Sequence, residues 1–210
     1  GDALIVIEGE NILSRSESSI RGAGEYNAAL NPYDVSVKKI NFLDGASFDA
    51  AGDTVTYAFT APETGWYQLG FYYRQNVKTN FPVFVDVLID GALPSLAAKE
   101  IAFDYRTDFG LMKAMTDGAA QTVYLTRGEH TLSLRINCSC LTPVYEMIDD
   151  LLAEINGLSL EVVRLTGGVK TDKYRDYELL SYIPNLVELL NGWADRCDAM
   201  VDQMKPLSTT

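Results

Sequence analysis

The sequence is short of the residues on which most enzyme active sites depend. His130 is the single histidine among 210 residues. No G-x-S-x-G, H-E-x-x-H, P-loop or dinucleotide-binding motif is present, and the carboxylates are scattered along the chain. The sequence predicts a structural role for His130 at a hairpin edge, and a protein that is not an enzyme.

Basic residues are also scarce. Lys and Arg number 17 against 29 Asp and Glu, which gives a net charge of −12. Nucleic acid and anionic membranes both attract proteins with a surplus of basic residues, so neither is expected as a partner. No apolar run has the length of a transmembrane helix. An acidic surface is compatible with neutral ligands such as sugars, although by itself it only favours solubility.

Cysteines are few and their spacing is irregular. Cys138 and Cys140 share the parity of the apolar residues before them, which predicts that both point into the core from one strand, whereas Cys197 lies far away on a helix. Three cysteines at this spacing form neither a disulfide framework nor a zinc site, and we expect buried free thiols.

What the chain does have is alternation of apolar and polar residues. Residues Thr54–Gly91 predict three half-buried antiparallel strands, because β-branched and aromatic residues recur with a period of two between Pro and Gly breaks. Trp66 is interpreted as a packing residue. Thr107–Gly118 is predicted to be irregular, and a hairpin turn is predicted at Arg127-Gly128-Glu129. Further strands are predicted at Leu4–Ile7, Val35–Phe42, Ile101–Tyr105, Gln121–Leu125 and Thr131–Cys138.

These strands follow one another at hairpin spacing without βαβ alternation. The predicted fold is therefore mainly β, an antiparallel β-sandwich or jelly roll over residues 1–166. Thr142-Pro143 begins a helix of about residues 143–155, which Asn156-Gly157 ends. Leu158–Val162 is predicted to return to the sheet, so the helix is an insertion.

The C-terminal part is predicted as a linker, residues 167–180, and an amphipathic helix, residues 181–205. The apolar residues of this helix recur at intervals of four and three, which is typical of a seam packed along another helix. Its partner is predicted to be the inserted helix, or else missing C-terminal sequence or a second copy. The seam consists of Leu186, Leu190, Trp193, Cys197, Met200 and Met204.

Binding is the function that these residues favour. Neutral sugars are bound by aromatic rings that stack on the C–H face of the sugar, with amides, carboxylates and Arg bonding to its hydroxyl groups. In a sandwich such groups lie on loops or on an exposed sheet face. The candidate ligand-binding residues are Tyr26, Asn27, Tyr33, Asn76, Tyr105, Asp108 and Phe109. Each of them also has a purely structural interpretation, because loop aromatics commonly attach a loop to the sheets.

A calcium ion is the candidate cofactor. Glu8 and Glu10 follow the first predicted strand with a spacing of two, so their side chains face the same way. Carboxylate oxygens are the hard ligands that Ca²⁺ prefers.

Four segments together resemble a known family. They read I-V-I-E-G-E-N, Y-A-F-T-A-P-E-T-G-W-Y-Q-L-G-F-Y-Y, V-D-V-L-I-D-G and V-Y-L-T-R-G-E-H-T-L-S-L-R. Their combination is similar to the carbohydrate-binding modules of families 6, 35 and 36, which have a galactose-binding-like β-sandwich. The resemblance covers Leu4 to about Val163 and is more diagnostic of fold than of ligand.

The resemblance has implications for both sites. In these modules an early glutamate and an acidic residue of the last strand bind a structural calcium, which corresponds here to Glu8 or Glu10 and to Asn156, an Asn where the family has Asp. The family's sugar site includes an aromatic of the early loop, matched by Tyr26. Tyr105 or Phe109 then takes the place of the tryptophan that commonly forms the other wall.

The C-terminal segment carries a second resemblance. GGVKTDKYRDYELLSYIPNLVELLNGWADRCD is similar to the segment that follows such a sandwich in large bacterial extracellular solute-binding proteins of ABC transporters. This implies an N-terminal fragment of a longer protein.

Two functional hypotheses remain. The first is a non-catalytic domain of a secreted or cell-surface protein, its signal peptide removed, that binds an oligo- or polysaccharide in glycan capture or sugar uptake. The alternative is a structural or protein-interaction module that has lost sugar binding.

Overall fold

The computed structural model describes residues 3–116, 119–168, 172 and 174–208. The chain forms two compact units, a β unit that extends to Cys138 and a helical unit over Ser139–Ser208. Each unit is described by itself. Within the described ranges, no helix combines the length and the apolar character needed to cross a membrane.

The described residues of the β unit form thirteen short strands, all paired antiparallel. Its larger sheet has the strand order β1-β4-β13-β7-β8, and two-stranded sheets pair β5 with β12, β6 with β9, β2 with β3 and β10 with β11. The strands are β1 (Ser14–Arg15), β2 (Gly22–Ala23), β3 (Phe42–Leu43), β4 (Thr54–Ala61), β5 (Gly65–Gln68), β6 (Gly70–Gln75), β7 (Val83–Ile89), β8 (Ile101–Phe103), β9 (Arg106–Lys113), β10 (Met115–Thr116), β11 (Ala119–Ala120), β12 (Thr122–Leu125) and β13 (Gly128–Ile136).

The core of the β unit is built from the apolar positions that alternation predicted. Val55 and Tyr57 of β4 are buried, and so are Val85 and Val87 of β7. Side chains from β5, β6, β9 and β12 pack into the same cluster. Full burial of a Val or Leu side chain contributes about 1.5–3 kcal/mol, so this shared core holds the sheets together. The mainly β antiparallel sandwich predicted from the sequence is confirmed.

A buried carboxylate joins three segments of the larger sheet. Asp86 of β7 is 1% exposed and accepts hydrogen bonds from the backbone N–H of Glu100 at 2.9 Å and from Asn137 Nδ2 at 2.8 Å. It also accepts from Arg135 Nη2 of β13 at 2.8 Å. Burial acts to raise the pKa of Asp86, but the bonds from Arg135, Asn137 and Glu100 outweigh it and lower the pKa. We conclude that Asp86 is an ionised structural group.

Several strand predictions were wrong. Residues 4–7 form no strand, and of Val35–Phe42 only Phe42 belongs to one. Asp34 Oδ1 accepts bonds from the N–H groups of Ser36 and Val37, a local turn that competes with strand pairing. The segment predicted to be irregular contains β9 and β10.

The predicted β12–β13 hairpin is also wrong, because β12 pairs with β5 whereas β13 pairs with β4 and β7. The connection at Arg127 therefore crosses from one sheet to another. His130, in β13, stacks on Phe59, and its Nδ1 lies 2.7 Å from Asp90 Oδ2.

The described part of the helical unit contains three α-helices, α1 (Thr142–Thr166), α2 (Leu179–Tyr182) and α3 (Leu186–Met204). Pro143 lies in the first turn of α1, as predicted. The predicted stop at Asn156-Gly157 and the return strand Leu158–Val162 were wrong, because α1 continues to Thr166. Gly167, with a φ of 78°, then caps the C-terminal end of the helix. The apolar stripe continues through Leu151 and Leu158, and a helical Gly costs only about 1 kcal/mol relative to Ala.

The extra length of α1 corrects the predicted domain boundaries. The strands of the sandwich end at Ile136 rather than near residue 166, so α1 is not an insertion between strands. The linker predicted over 167–180 contains the first two residues of α2, and the helix predicted over 181–205 corresponds mainly to α3.

The helical pair predicted between α1 and α3 is confirmed. Val144 and Leu151 of α1 pack with Trp193 and Met200 of α3 in a buried cluster. Glu154 accepts bonds from Trp193 Nε1 at 2.7 Å and from Arg196 Nη1 at 2.6 Å. Only part of the predicted seam faces α1, because Leu190, Cys197 and Met204 are exposed. None of the three cysteines, all within the described residues, forms a disulfide.

Candidate functional site

An aromatic–arginine cluster lies on the outer face of β6 and β9. It consists of Phe42, Tyr72, Arg74 and Phe109. The Phe109 ring stacks near Tyr72, with centroids 6.0 Å apart and planes 23° apart, and meets Phe42 edge-on at 5.5 Å. Arg74 Cζ lies 4.5 Å from the Phe109 centroid, within the range of a cation–π contact. Tyr72 is 48% exposed, so the cluster is open to a ligand.

Strand alternation places the cluster on this face. Phe71 and Tyr73 of β6 point inward and pack on the core. Tyr72 and Arg74 therefore point outward, since successive side chains of a strand face opposite ways. Tyr72 pairs with Leu111 of β9, which is 65% exposed and extends the apolar surface along the strand.

A salt bridge connects the cluster to the early loop. Arg74 Nη1 and Nη2 donate to Glu25 Oε1 and Oε2 at 3.2 and 2.8 Å, a two-point contact that fixes the orientation of the guanidinium group. Asn27 Nδ2 also donates to Glu25 Oε1, at 3.1 Å. Asn27 Oδ1 accepts from the N–H of Ala29. The loop and the sheet thus share one polar network.

Asn41 holds the early loop in place. It is buried, its Oδ1 accepts from the N–H of Glu25 at 3.1 Å, and its Nδ2 donates to the carbonyls of Glu25 and Pro32 at 3.1 and 3.2 Å. Gly24 allows the two segments to approach, because a Cβ atom there would lie 1.8 Å from the Lys39 carbonyl oxygen. The loop is therefore fixed by backbone contacts rather than by its exposed side chains.

The charge on Glu25 is set by this network. Burial acts to raise the pKa of Glu25, but the hydrogen bonds from Asn27 and Arg74 and the positive charge of Arg74 outweigh it. The pKa of Glu25 is therefore lowered, and the ion pair is fully formed at neutral pH.

The structure brings some of the predicted ligand residues together. Phe109 belongs to the cluster, Asn27 bonds to Glu25, and Tyr26, next to Glu25, is 60% exposed. Tyr33 and Asn76 are exposed, and Asp108 accepts a bond from the Thr107 hydroxyl. Tyr105 is half-buried between β8 and β9. The roles of all seven residues stay predictions.

The centre of the site was not predicted from the sequence. Glu25, Phe42, Tyr72 and Arg74 are all functional candidates that the structure adds, and only the outward parity of Tyr72 and Arg74 signalled two of them. Trp66 was interpreted as a packing residue, yet it is 71% exposed on β5.

The predicted metal residues lie in different environments. Glu10 Oε2 is buried without a hydrogen-bond partner, and burial first, then the charge of Glu8, raises the pKa of Glu10. Glu8 accepts a bond from Asn31 Nδ2 at 2.8 Å. Asn156 is exposed in the middle of α1, so the strand predicted to carry it as a third ligand does not form. In the described part of the chain, no group of three or more His, Cys, Asp or Glu side chains converges as a metal site.

Comparison with protein families matches residues 143–210 to the family described as bacterial solute-binding protein, 4-helix bundle domain. The match covers less than half of the chain. Among curated proteins, no match to the chain was found.

Solved structures match about three fifths of the chain. A cycloisomaltooligosaccharide glucanotransferase from a Paenibacillus species, complexed with cycloisomaltoheptaose, is 27% identical over 62% of this chain, with a TM-score of 0.37. The match spans only 17% of the glucanotransferase. A family 35 carbohydrate-binding module from Clostridium thermocellum is 18% identical over 60% of this chain and 88% of its own, with a TM-score of 0.36.

A family 35 module from Cellvibrio japonicus is 16% identical over 59% of this chain and 82% of its own, with a TM-score of 0.29. Both resemblances that the sequence indicated recur in these comparisons, one among solved carbohydrate-binding modules and the other in the family match of the helical unit.

The Glu25–Arg74 contact predicts a shifted titration. In the wild type, the carboxyl carbon of Glu25 should titrate by NMR with a midpoint below its ordinary 4.5. Because folding lowers the pKa of Glu25, the ion pair stabilises the fold fully above the ordinary pKa of 4.5. This contribution is lost as the pH falls through the lowered pKa of the folded state. Arg74→Ala should raise the midpoint, since it removes the hydrogen bonds and the positive charge that lower the pKa of Glu25. Arg127→Ala, in the connection between β12 and β13, should leave it unchanged, and equal midpoints in wild type and Arg74→Ala would contradict the contact.

Proposed function

We propose that the β unit is a non-catalytic carbohydrate-binding domain of a secreted or cell-surface bacterial protein. The observation that supports this proposal is the outer-face cluster, in which the exposed Tyr72 ring and two half-buried phenylalanine rings lie beside a fixed Arg–Glu pair and an amide. Aromatic faces stack on the apolar C–H face of a sugar, and the polar groups bond to its hydroxyls. Two of the five guanidinium N–H groups of Arg74 bond to Glu25, which leaves donor capacity for a ligand.

The charge of the site favours a neutral glycan. Arg74 is balanced by Glu25 within the cluster, and the whole chain carries a net charge of −12. A polyanionic ligand would therefore meet repulsion without a compensating basic patch. Capture of a neutral oligo- or polysaccharide, linked to sugar uptake, is also compatible with the solute-binding family that the helical unit matches.

Binding to a glycan array and calorimetry with its hits test this proposal. Phe109→Ala should weaken the affinity for the bound glycan about tenfold, because it removes the ring against which the exposed Tyr72 and Arg74 pack, and one stacked ring contributes roughly 1.4 kcal/mol. Tyr174→Ala, which removes an 87% exposed aromatic of the helical unit, serves as the control and should leave the affinity unchanged. An array without hits, or equal affinities of wild type and Phe109→Ala, would overturn the proposal.

We also propose a calcium ion at Glu8 and Glu10. The orphaned, buried Oε2 of Glu10 has no hydrogen-bond partner, and a buried carboxylate oxygen needs a compensating group. The charge of Glu8 adds to that of Glu10, and two hard carboxylates suit Ca²⁺. Gly22 packs closely against Glu10, since a Cβ atom there would lie 3.1 Å from Glu10 Cβ and 2.6 Å from Ile40 Cγ2.

Thermal unfolding with CaCl₂ and with EDTA tests this site. Calcium should raise the Tm of the wild type, because a ligand of the folded state stabilises it by mass action. Glu10→Gln should abolish the shift, whereas Glu129→Gln in β13 should keep it. In EDTA at neutral pH, Glu10→Gln should be at least as stable as the wild type, since the raised pKa of Glu10 makes its charge unfavourable in the fold. Equal Tm values of the wild type in both buffers would rule the ion out.

A second candidate function is protein interaction through the helical unit. Besides the buried stripe, α1 has an exposed apolar stripe of Tyr145, Ile148, Leu152 and Ile155, and α3 exposes Val187, Leu190, Val201 and Met204. Spacings of three and four are typical of packing against further helices. The matched family is described as a four-helix bundle, and the unit has two long helices. We propose that a second copy of the helical pair covers this surface.

Sedimentation equilibrium tests this interaction. The wild type should dimerise as its concentration rises, and added salt should strengthen the dimer because acidic residues outnumber basic ones on both helices. Leu152→Glu should give a monomer, whereas Ala153→Glu, one position away and outside the stripe, should not. A wild type that stays monomeric throughout contradicts the second copy as partner.

A further inference from the structure

A second pair of exposed aromatics lies on β5 and β12. Trp66 is 71% exposed and Tyr124 is 55% exposed. The two residues are paired across the strands, with ring centroids 5.3 Å apart and planes at 62°. The core of the β unit does not use either ring. Exposed aromatic side chains that contact each other in this way form an apolar surface patch, and such patches commonly mark binding sites.

This pair lies on the same face as the aromatic–arginine cluster. Tyr67, Leu69, Phe71 and Tyr73 all pack into the one core of the β unit. The residues between them along the chain therefore face outward together. From one end of β5 to the end of β6, these outward positions are Trp66, Gln68, Gly70, Tyr72 and Arg74.

The face is continuous between the two strands. Leu69 lies between β5 and β6, yet its N–H donates to the Gln121 carbonyl at 3.1 Å and its carbonyl accepts from the Ala114 N–H at 3.0 Å. The backbone pairing thus runs on without a gap. Trp66 and Tyr72 are six residues apart, or about 20 Å at the rise of a strand. This separation is the length of several linked sugar rings.

The surface between the Trp66–Tyr124 pair and the aromatic–arginine cluster is polar and does not protrude at Gly70. Gly70 presents no side chain, and it pairs with Lys113. Gln68 pairs with Thr122, and both side chains are exposed beside Trp66 and Tyr124. An amide and a hydroxyl next to two rings are groups that bond to sugar hydroxyls.

We propose that Trp66 and Tyr124 form a second subsite for the same ligand. The ligand class is then an extended, unbranched neutral polysaccharide that lies along β5 and β6. It contacts both the Trp66–Tyr124 pair and the aromatic–arginine cluster. The inference rests on the proposed function of the cluster, and it adds the chain length of the ligand. Two subsites linked by one ligand act together, so affinity rises with the length of the chain.

Calorimetry with cello-, manno- and isomalto-oligosaccharides of two to eight units tests the inference. The wild type should bind the long members of one series at least tenfold more tightly than the disaccharide. Trp66→Ala should remove this increase and leave the affinity for the disaccharide unchanged. Phe109→Ala should weaken both, and Tyr174→Ala should weaken neither. Circular dichroism checks that each variant is folded.

The outcomes separate the two proposals. If Phe109→Ala weakens binding while Trp66→Ala has no effect at any length, the second subsite is overturned and the cluster keeps its function. If none of the three series binds, the inference is overturned for these ligands, and the glycan array decides the proposed function independently. If Trp66→Ala changes the oligomeric state measured by sedimentation but not the affinity for any oligosaccharide, the face is a protein interface instead.

A direct readout supports the same test. Trp193 is buried in the helical unit, so Trp193→Phe leaves Trp66 as the single tryptophan reporter. The long oligosaccharides should change its fluorescence and the disaccharide should not. An unchanged emission at saturating long oligosaccharide overturns the second subsite.

Discussion

The position of Asp86 in the larger sheet constrains the rest of the β unit. A buried carboxylate is tolerated only where bonds compensate the loss of water, and here the donors come from β13, from Asn137 after it and from the segment before β8. β13 also pairs along its length with β4. The Asp86 carboxylate therefore fixes β7 and β13 relative to the strands on both sides. The shared core then positions β6 and β9, which carry the aromatic–arginine cluster.

Local patterns predicted the sandwich well but not its connections. Alternation identified β4, β7 and the buried positions of β5 and β6, because each inward side chain meets one core. It failed over residues 35–41, which form no strand, and the continuous apolar run at residues 4–7 forms no strand either. It also failed at Gly157, where a locally unfavourable residue is outweighed by the apolar stripe that continues on both sides. Pairing partners are long-range properties that a local period does not contain.

At the site, too, local features were predicted from the sequence and long-range contacts were not. Tyr26, Asn27 and Phe109 were predicted from residue type and from position in loops, and the structure places them around Glu25 or in the cluster. The Glu25–Arg74 pair was missed because its members are 49 residues apart and nothing in either local sequence indicates the other. Outward parity alone does not tell which exposed aromatics will meet. Trp66 illustrates this, since a tryptophan between Gly and Tyr is equally typical of a core position.

The attachment of the early loop through Asn41 has a consequence for how the domain changes over evolution. One buried amide bonds only to backbone atoms of the loop, at Glu25 and Pro32. Between these two points Leu30 is buried, and Asn27 and Asn31 form hydrogen bonds. The Tyr26 side chain, in contrast, is exposed. Tyr26 is therefore free to change in the course of evolution, because its substitution leaves the buried amide and its backbone partners intact.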